Sequence, residues 1–228
     1  MHIALPLLLI LALVFGPQLW VRYQMRRHSA PLPELPGTGG ELARHLLNRF
    51  GLNDVRVEAT PRGDHYDPEA RAVRLLPEHL DGKSLTAVAI AAHEVGHALQ
   101  HHSGDRMLHL RSRMVQLARP VERLGALAMV AIPVIALATR APGAGLMLVA
   151  AGLLSLAFMA LVHLVTLPVE WDASFGKALP ILRGGGYIQP EQEAAVQSVL
   201  RAAALTYVAV SLASLLNVAR WAAILLRR

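Results

Sequence analysis

The sequence predicts a mainly α-helical integral membrane protein, with about four transmembrane helices and a small α+β domain at the membrane surface. Three observations support this fold class. Apolar residues make up 54% of the chain, above the roughly 45–50% that is usual for soluble proteins. They are concentrated in long runs that contain no Asp, Glu, Lys or Arg. Between the first two runs, short segments alternate apolar and polar residues, as half-buried strands do.

Four runs lack charged residues, and they cover residues 2–21, 124–139, 141–169 and 202–219. A helix needs roughly 20 apolar residues to cross a bilayer. The second run is short and reaches this length only if residues 120–123 extend it. The first run lacks a basic N-terminal region and a small-residue cleavage pattern, so we predict a membrane anchor rather than a signal peptide.

The charge and the cysteine count exclude several kinds of protein. The chain carries a formal net charge of +6 and has no cysteine, which excludes disulfides, thiolate zinc sites and cysteine nucleophiles. Any bound metal must therefore be held by His, Asp or Glu. The arginines lie largely beside the apolar runs, a pattern typical of the cytoplasmic side of a membrane protein. This pattern explains the positive charge without a nucleic-acid partner.

The predicted domain organisation follows from the apolar runs. An N-terminal transmembrane anchor is followed by a linker containing "SAPLPELPGTGG", a composition typical of extended linkers. The anchor covers 1–22 and the linker 23–40. A domain with a small hairpin follows at 41–119, and a transmembrane hairpin at 120–168. A segment with a further helix covers 169–201, and a C-terminal transmembrane helix covers 202–228.

Local signals place the first elements of the domain at 41–119. Thr38 and Glu41 have the spacing of a capping box, which predicts a helix that begins there and ends at Gly51. The segments "VRVEAT" and "RAVRLL" alternate as strands do, and the turn residues between them predict a hairpin.

Helices are expected after the strands. Ser84 is the predicted N-cap of a helix that runs to about His102. A second helix is expected at 106–119, and another begins near Pro190 and continues into the last span.

The stretch "IAAHEVGHALQHH" carries the candidate chemistry. His93 and His97 stand at positions i and i+4 on one helix face, so both imidazoles can reach one zinc ion. Glu94 stands beside the first ligand, where it can take a proton from water that the zinc activates. This H-E-x-x-H pattern is a zinc-hydrolase signature. The alternative, a core helix with two buried histidines, leaves the cost of Glu94 among apolar residues unexplained.

A catalytic zinc needs a third protein ligand and leaves one position for water. The longer pattern H-E-x-x-H-x-x-G-x-x-H fails, because Gln100 and Ser103 stand at its last Gly and His. Glu170 directly follows an apolar run, where an acid is costly unless it is functional, and two predicted spans return it to the face of His97. We therefore predict Glu170 as the third ligand. The other candidates are Glu122, Asp172, Glu191 and Glu193.

Four stretches, "DHYDP", "AAHEVGHALQH", "TLPVEWDAS" and "AAALTYVA", resemble the neutral zinc metallopeptidase family of bacterial membrane proteins, and they occur in that family's order. More distantly, the layout resembles the membrane-embedded gluzincins that process prenylated or misfolded membrane proteins. The resemblance implies a zincin-like catalytic domain, zinc bound by His93, His97 and Glu170, and Glu94 as the base. It also implies a multi-pass protein of the bacterial inner membrane. The excess of Lys and Arg on the side of the spans that carries the H-E-x-x-H motif predicts that the active site faces the cytoplasm.

One position departs from the gluzincin pattern. In many gluzincins an Asp four residues after the ligand Glu orients a ligand histidine, but here that position is Ser174 and the acid is Asp172. Either Ser174 takes this role, or the segment is not a regular helix. In "DHYDP" the Asp residues favour a turn, whereas His65 or Tyr66 would be a donor to a developing oxyanion. Both interpretations stay open.

The sequence therefore predicts a membrane-embedded zinc endopeptidase that uses Zn²⁺ and cleaves peptide or membrane-protein substrates. The strand at 71–76 would offer an edge to which an extended substrate adds. The alternative is a membrane scaffold or partner-binding subunit with a structural zinc. That alternative requires a fourth protein ligand, such as Asp172 or His65.

Overall fold

The structure is a computed structural model that describes residues 4–118, 161–163 and 165–206, together with positions 120, 127, 131, 147, 154, 158 and 208. In the first helix, the described side chains are those of residue 12 and of residues 15 onward.

The described chain is mainly helical and contains one small sheet. The helices before the site are α1 Ala4–Arg27, α2 Gly39–Arg49, α3 Pro77–Leu80 and α4 Leu85–His102, and the strands are β1 Arg56–Ala59, β2 His65–Asp67 and β3 Ala72–Leu75. Helix α5 covers 106–118 and helix α6 covers 165–171. They are followed by a π-helix Asp172–Ala178, by α7 Leu179–Gly184 and by a 3₁₀ turn Pro190–Gln192. Helix α8 covers 193–206.

Two predicted helix starts are confirmed by their caps. The hydroxyl of Thr38 accepts a hydrogen bond from the backbone N–H of Glu41 at 3.2 Å, and the Glu41 carboxylate accepts one from the backbone N–H of Thr38 at 2.7 Å. Ser84 accepts from the backbone N–H of Ala87 at 3.1 Å. Each cap satisfies donors that a helix start leaves without an intrahelical partner.

The predicted hairpin pairs different strands from those expected. β1 and β3, which we predicted to be its two arms, run parallel to each other, while β2 runs antiparallel to β3. The order in the sheet is β1-β3-β2. The cause lies in "DHYDP", whose residues His65–Asp67 are extended and form a strand of their own. The hairpin therefore joins β2 to β3, and β3 is the central strand.

The core is organised around α4. Most residues of this helix are buried, because its apolar side chains face α2, the sheet and the segment at 169–184. Leu46, Leu47, Val73, Val95 and Leu182 are each fully buried in the cluster that these elements share. A helix that is apolar on all sides packs against neighbours on all sides. The few polar residues of α4 are therefore held in fixed surroundings.

The prediction of about four transmembrane helices is wrong for the part of the chain that the structure describes. No helix there is long and apolar enough to cross a membrane. Helix α1 has 24 residues and contains Pro17. Its described C-terminal turns carry Arg22, Arg26 and Arg27, which lie beyond the uncharged run at 2–21.

The remaining predicted spans fall mainly on other residues. The runs at 124–139, 141–169 and 202–219 lie largely outside the described residues, as does Glu122. The predicted helix at 106–119 is present as α5, and the predicted helix after Pro190 is present as α8 up to residue 206.

Candidate metal centre

The two histidines of the motif lie on one face of α4. Their ring centroids are 4.7 Å apart, as expected for side chains one helical turn apart. His93 is 3% exposed and His97 is 5% exposed. Both imidazoles are therefore enclosed by the protein, and their hydrogen-bond partners decide which of their nitrogens carries a proton.

Glu170, at the end of α6, meets both histidines. Its Oε2 lies 3.1 Å from Nε2 of His93 and 3.2 Å from Nε2 of His97. The carboxylate is 2% exposed. One ligand atom from each of these three residues lies within 4.8 Å of the others. The structure thus brings together the three residues that the sequence predicted as ligands, across 73 positions of chain between His97 and Glu170.

Gln100 fixes the protonation of His97. The amide nitrogen of Gln100 donates to the carbonyl of Val169 and to the carboxylate of Asp172, both at 2.9 Å. Both partners are acceptors only, so the orientation of the amide is determined and its oxygen faces Nδ1 of His97, at 2.9 Å. An amide oxygen can only accept a hydrogen bond. Nδ1 of His97 therefore carries a proton, and in the neutral imidazole the lone pair lies on Nε2, which faces Glu170.

Ser174 fixes the protonation of His93 in the same way. Its hydroxyl lies 3.1 Å from the carbonyl of Leu200 and 2.9 Å from Nδ1 of His93. The carbonyl can only accept, so the single hydroxyl proton points to Leu200 and the oxygen accepts from His93. Nδ1 of His93 therefore carries a proton as well, and in the neutral imidazole Nε2 is the nitrogen left to bind a metal. A ligand histidine that donates its other N–H to an outer partner is the usual arrangement in metal sites.

These assignments make the centre suited to a cation. Three acceptor atoms converge, namely two imidazole lone pairs and a carboxylate oxygen, and without a positive charge between them they repel one another. Two imidazoles and one carboxylate are the ligand set of many catalytic zinc sites, in which a fourth position is left open. His93, His97 and Glu170 therefore fit a zinc ion by their chemistry as well as by their positions.

The second oxygen of Glu170 faces a cation from another helix. Nη2 of Arg111, on α5, lies 3.1 Å from Oε1 as an ion pair, in an alignment that is not that of a hydrogen bond. Burial alone would raise the pKa of Glu170, but imidazoles that carry a proton on Nε2, His97 foremost, hold the pKa well below its usual range, and a bound metal would take the place of those protons. Glu170 is therefore a carboxylate, ready to bind a metal without losing a proton.

Glu94 has the opposite electrostatic environment. Its carboxyl is buried, and this burial raises its pKa from 4.5 to about 7, with His93 opposing the shift and Glu170 adding to it. A carboxyl with a pKa near neutrality can both take and return a proton under ordinary conditions. The pKa of Glu94 is thus raised above its ordinary value, whereas that of Glu170 is lowered. Perturbed pKa values of this kind are often found at functional sites.

A close backbone contact holds the two halves of the centre together. A Cβ atom at Gly96 would lie 2.7 Å from the carbonyl oxygen of Ala173. Only glycine leaves room for the π-helix to pack this closely on α4. The neighbouring residue, Ser174, is thereby placed against His93. The sequence left open whether Ser174 acts as the outer partner or the helix is irregular, and the structure has both features.

A cavity of about 670 Å³ opens at the centre, and it is lined by Glu94, by the three candidate ligands and by β2. Its size is that of a small-molecule or peptide site. Its apolar lining comes from several helices and consists of Met25, Ile90, Leu108, Val115 and Ala203.

His65 and Tyr66 line the same cavity but are already engaged. Nδ1 of His65 lies 2.8 Å from the carbonyl of Gly63, so it is this nitrogen that donates. The hydroxyl of Tyr66 lies 2.8 Å from Nδ1 of His101. Asp64 accepts from the backbone N–H of Leu76 at 2.8 Å. That contact lies outside any local turn, whereas Asp67 accepts from the backbone N–H of Glu69 at 2.9 Å and of Ala70 at 3.0 Å. Of the two aspartates, Asp67 therefore has the predicted turn chemistry.

An H-E-x-x-H helix whose histidines meet a glutamate from a later helix is an arrangement typical of zinc hydrolases. The chain belongs to the family described as "Putative neutral zinc metallopeptidase", whose family model matches residues 3–226. It is 37% identical over 219 residues to the "Putative membrane protease YugP" of Bacillus subtilis (strain 168), which covers 95% of this chain and 93% of that protein. No solved structure matches the chain. The predicted family and the zinc cofactor are thereby confirmed.

Sequence reasoning missed two residues of the centre. Gln100 was considered only as a mismatch to a longer motif, although its position three residues after His97 places it on the same helix face. Arg111 had no local signal, because its role depends on how α5 packs beside α6. Only the folded chain brings Arg111 to Glu170.

Proposed function

We propose that this chain is a zinc-dependent endopeptidase whose catalytic base is Glu94. One observation carries the proposal: two imidazole lone pairs and the Glu170 carboxylate converge on one point, beside a buried carboxyl that lines the same cavity. A metal site of this kind next to a proton-accepting carboxyl is the arrangement used for hydrolysis of peptide bonds.

The chemistry divides between the metal and the protein. When bound, zinc acts as a Lewis acid that polarises a carbonyl and lowers the pKa of water. The Glu94 carboxylate accepts a proton from the attacking water and returns it to the nitrogen of the leaving amine. The environment of Glu94 favours this exchange, because burial sets its pKa at about 7. His93 and His97 are held in the correct tautomers by Ser174 and Gln100.

An edge strand among the lining residues of the cavity supports an extended peptide as substrate. We had assigned the receiving edge to the strand at 71–76, but this strand is central and has neighbours on both sides. In the described sheet, β2 is the edge strand whose residues line the cavity. A peptide can add to such an edge through main-chain hydrogen bonds, largely independently of its sequence. The apolar part of the cavity would accept a side chain of the substrate.

We also propose that the enzyme acts at a membrane on membrane-associated proteins. The name of the Bacillus subtilis relative, a membrane protease, supports this proposal. That the site faces the cytoplasm stays a prediction.

The alternative, a scaffold with a structural zinc, requires four protein ligands. Among the described residues, the group of ligand atoms that lie within 4.8 Å of one another comes from His93, His97 and Glu170, and it includes neither Asp172 nor His65. Asp172 binds Gln100 and Lys177 instead. The arrangement therefore favours catalysis.

The variant Glu94→Gln tests the proposal. It keeps the size of the side chain and removes the base, so we expect full zinc content and a loss of peptide hydrolysis of at least about a hundredfold. Hydrolysis is measured on a mixed peptide library with the purified full-length protein, and zinc by elemental analysis. The control Glu69→Gln changes an exposed carboxylate at the cavity rim. Equal activity of Glu94→Gln and wild type would remove Glu94 as the base.

A further inference from the structure

Arg111 contacts the oxygen of Glu170 that does not face the histidines. The two oxygens of this carboxylate have separate partners: Oε2 lies 3.1 and 3.2 Å from the two imidazoles, and Oε1 lies 3.1 Å from the guanidinium of Arg111. The side chains are 18% exposed for Arg111 and 2% for Glu170. Little solvent therefore competes for this contact.

The number of oxygens that a glutamate ligand uses decides how many positions around a metal remain. A carboxylate can bind a metal through one oxygen or through both. A catalytic zinc with three protein ligands keeps a position for water. If Glu170 bound through both oxygens, it would occupy one more position and crowd that water.

We propose that Arg111 is a positioning residue that holds Oε1 of Glu170 and restricts this ligand to one oxygen. This inference rests on the proposed metal site and deepens it. Arg111 touches neither substrate nor metal in this role and acts through Glu170. It reaches the carboxylate from the cavity wall formed by α5, so the position of that helix is coupled to the geometry of the site.

The proposal predicts an unusual change in zinc affinity when Arg111 is replaced. Removing an outer partner of a metal ligand typically weakens metal binding about 10–100-fold. Arg111 and zinc, however, are two cations that compensate the same buried carboxylate and repel each other. Without Arg111, Glu170 can turn both oxygens to the metal. We therefore expect zinc to bind Arg111→Gln no more weakly than wild type.

The experiment compares Arg111→Gln with wild type and with a matched control, Arg113→Gln. Arg113 stands on the same helix, is exposed and does not line the cavity, so it loses the same charge outside the site. Each full-length protein is loaded with Co²⁺, whose visible absorption reports coordination number, and zinc affinity is measured by competition with a chelator. For Arg111→Gln we expect the cobalt bands to weaken by about twofold or more, as coordination rises above four. Arg113→Gln should retain the wild-type spectrum.

Two results would overturn the proposal: a folded Arg111→Gln protein with the wild-type cobalt spectrum, or a clear loss of zinc affinity in that variant. If Arg111→Gln does not fold, Arg111→Lys provides the test. Its ammonium group also offers a cation to one carboxylate oxygen, so a wild-type cobalt spectrum supports the proposal and a weakened one contradicts it. The cobalt spectrum and the zinc affinity depend on metal binding and not on peptide cleavage. They therefore test the role of Arg111 even if the wild-type protein cleaves no peptide. That absence of cleavage would refute the proposed function, not the role of Arg111.

Discussion

The hydroxyl of Ser174 lies 2.9 Å from Nδ1 of His93. This contact joins the π-helix to the first histidine of the motif. It also determines which ring nitrogen of His93 is free, because the only proton of the hydroxyl is donated to the carbonyl of Leu200. A serine thus does here what a carboxylate does in many zinc sites.

The first prediction concerns this serine. Ser174→Ala removes the acceptor of His93 and leaves a buried N–H and the Leu200 carbonyl without their partner. We expect zinc affinity to fall by about tenfold, measured by competition with a chelator. Ser198→Ala is the matched control, since within the described part of the chain the Ser198 hydroxyl donates to a helix carbonyl, that of Ala195. Equal losses in the two variants would contradict the assigned role.

The second prediction tests the orientation of the Gln100 amide. Gln100→Glu keeps an acceptor for His97 but replaces the amide nitrogen by an oxygen, which then faces the Val169 carbonyl and the Asp172 carboxylate. We expect zinc affinity to fall by about 10–100-fold, because acceptors now face acceptors.

Its control is the double variant Gln100→Glu/Asp172→Asn, which returns one donor to the contact and should recover part of the lost zinc affinity. Wild-type affinity in Gln100→Glu would show that the amide nitrogen has no role.

The third prediction concerns the close packing at Gly96. Gly96→Ala places a Cβ atom 2.7 Å from the backbone oxygen of Ala173, and backbone atoms cannot move aside as a flexible side chain can. We expect a loss of about 1–3 kcal/mol in the free energy of unfolding. We also expect weaker zinc binding, since the displaced segment carries Glu170 and Ser174. Gly184→Ala is the control, because a Cβ atom there meets nothing within 4 Å. Denaturant unfolding with and without zinc checks both effects.

The fourth prediction is a pH dependence of the metal-free protein. The pKa of Glu94 is raised from 4.5 to about 7 in the folded state, so in this range the folded protein retains a proton that the unfolded chain has lost. The free energy of unfolding should therefore fall as pH rises through this range and level off above it. The total fall is about 3 kcal/mol. Glu170 has the opposite sign, since its lowered pKa contributes stability that is lost only towards acid pH.

The variant Glu94→Gln isolates the contribution of Glu94. Its side chain does not titrate, so the difference in unfolding free energy between this variant and wild type should grow from low pH to neutral pH, in the presence of a chelator. A difference that does not change with pH would show that the Glu94 carboxyl is not desolvated.

The three candidate ligands that meet in the structure could be predicted from the sequence because each carried a local signal. His93 and His97 have a spacing that places them on one helix face, and Glu170 is an acid that directly follows an apolar run. The outer partners could not be predicted in this way. Arg111 and the Leu200 carbonyl come from elements that meet the site only through tertiary packing, and the alternative of a regular or irregular helix at Ser174 could not be decided from spacing.

The fold was predicted less completely. Helix caps at Thr38 and Ser84 are local and were correct. The strand pairing was wrong because alternation of residues reveals that a segment is extended but not which neighbour it pairs with. The extended conformation of His65–Asp67 was obscured by turn residues on both sides. The four spans were inferred from runs of apolar residues alone.

The π-helix at Asp172–Ala178 has a consequence for how the protein tolerates changes in length. A π-helical turn contains one residue more than an α-helical turn. One residue of this stretch could therefore be removed without interrupting the helix. Deleting one residue after Ser174 would let this turn tighten to the α-helical form while the helix that follows keeps its phase. Glu170 and Ser174 precede such a deletion, so their contacts with His93 would persist. The stretch should therefore tolerate a shortening on its C-terminal side but not between Glu170 and Ser174, where the spacing sets both contacts.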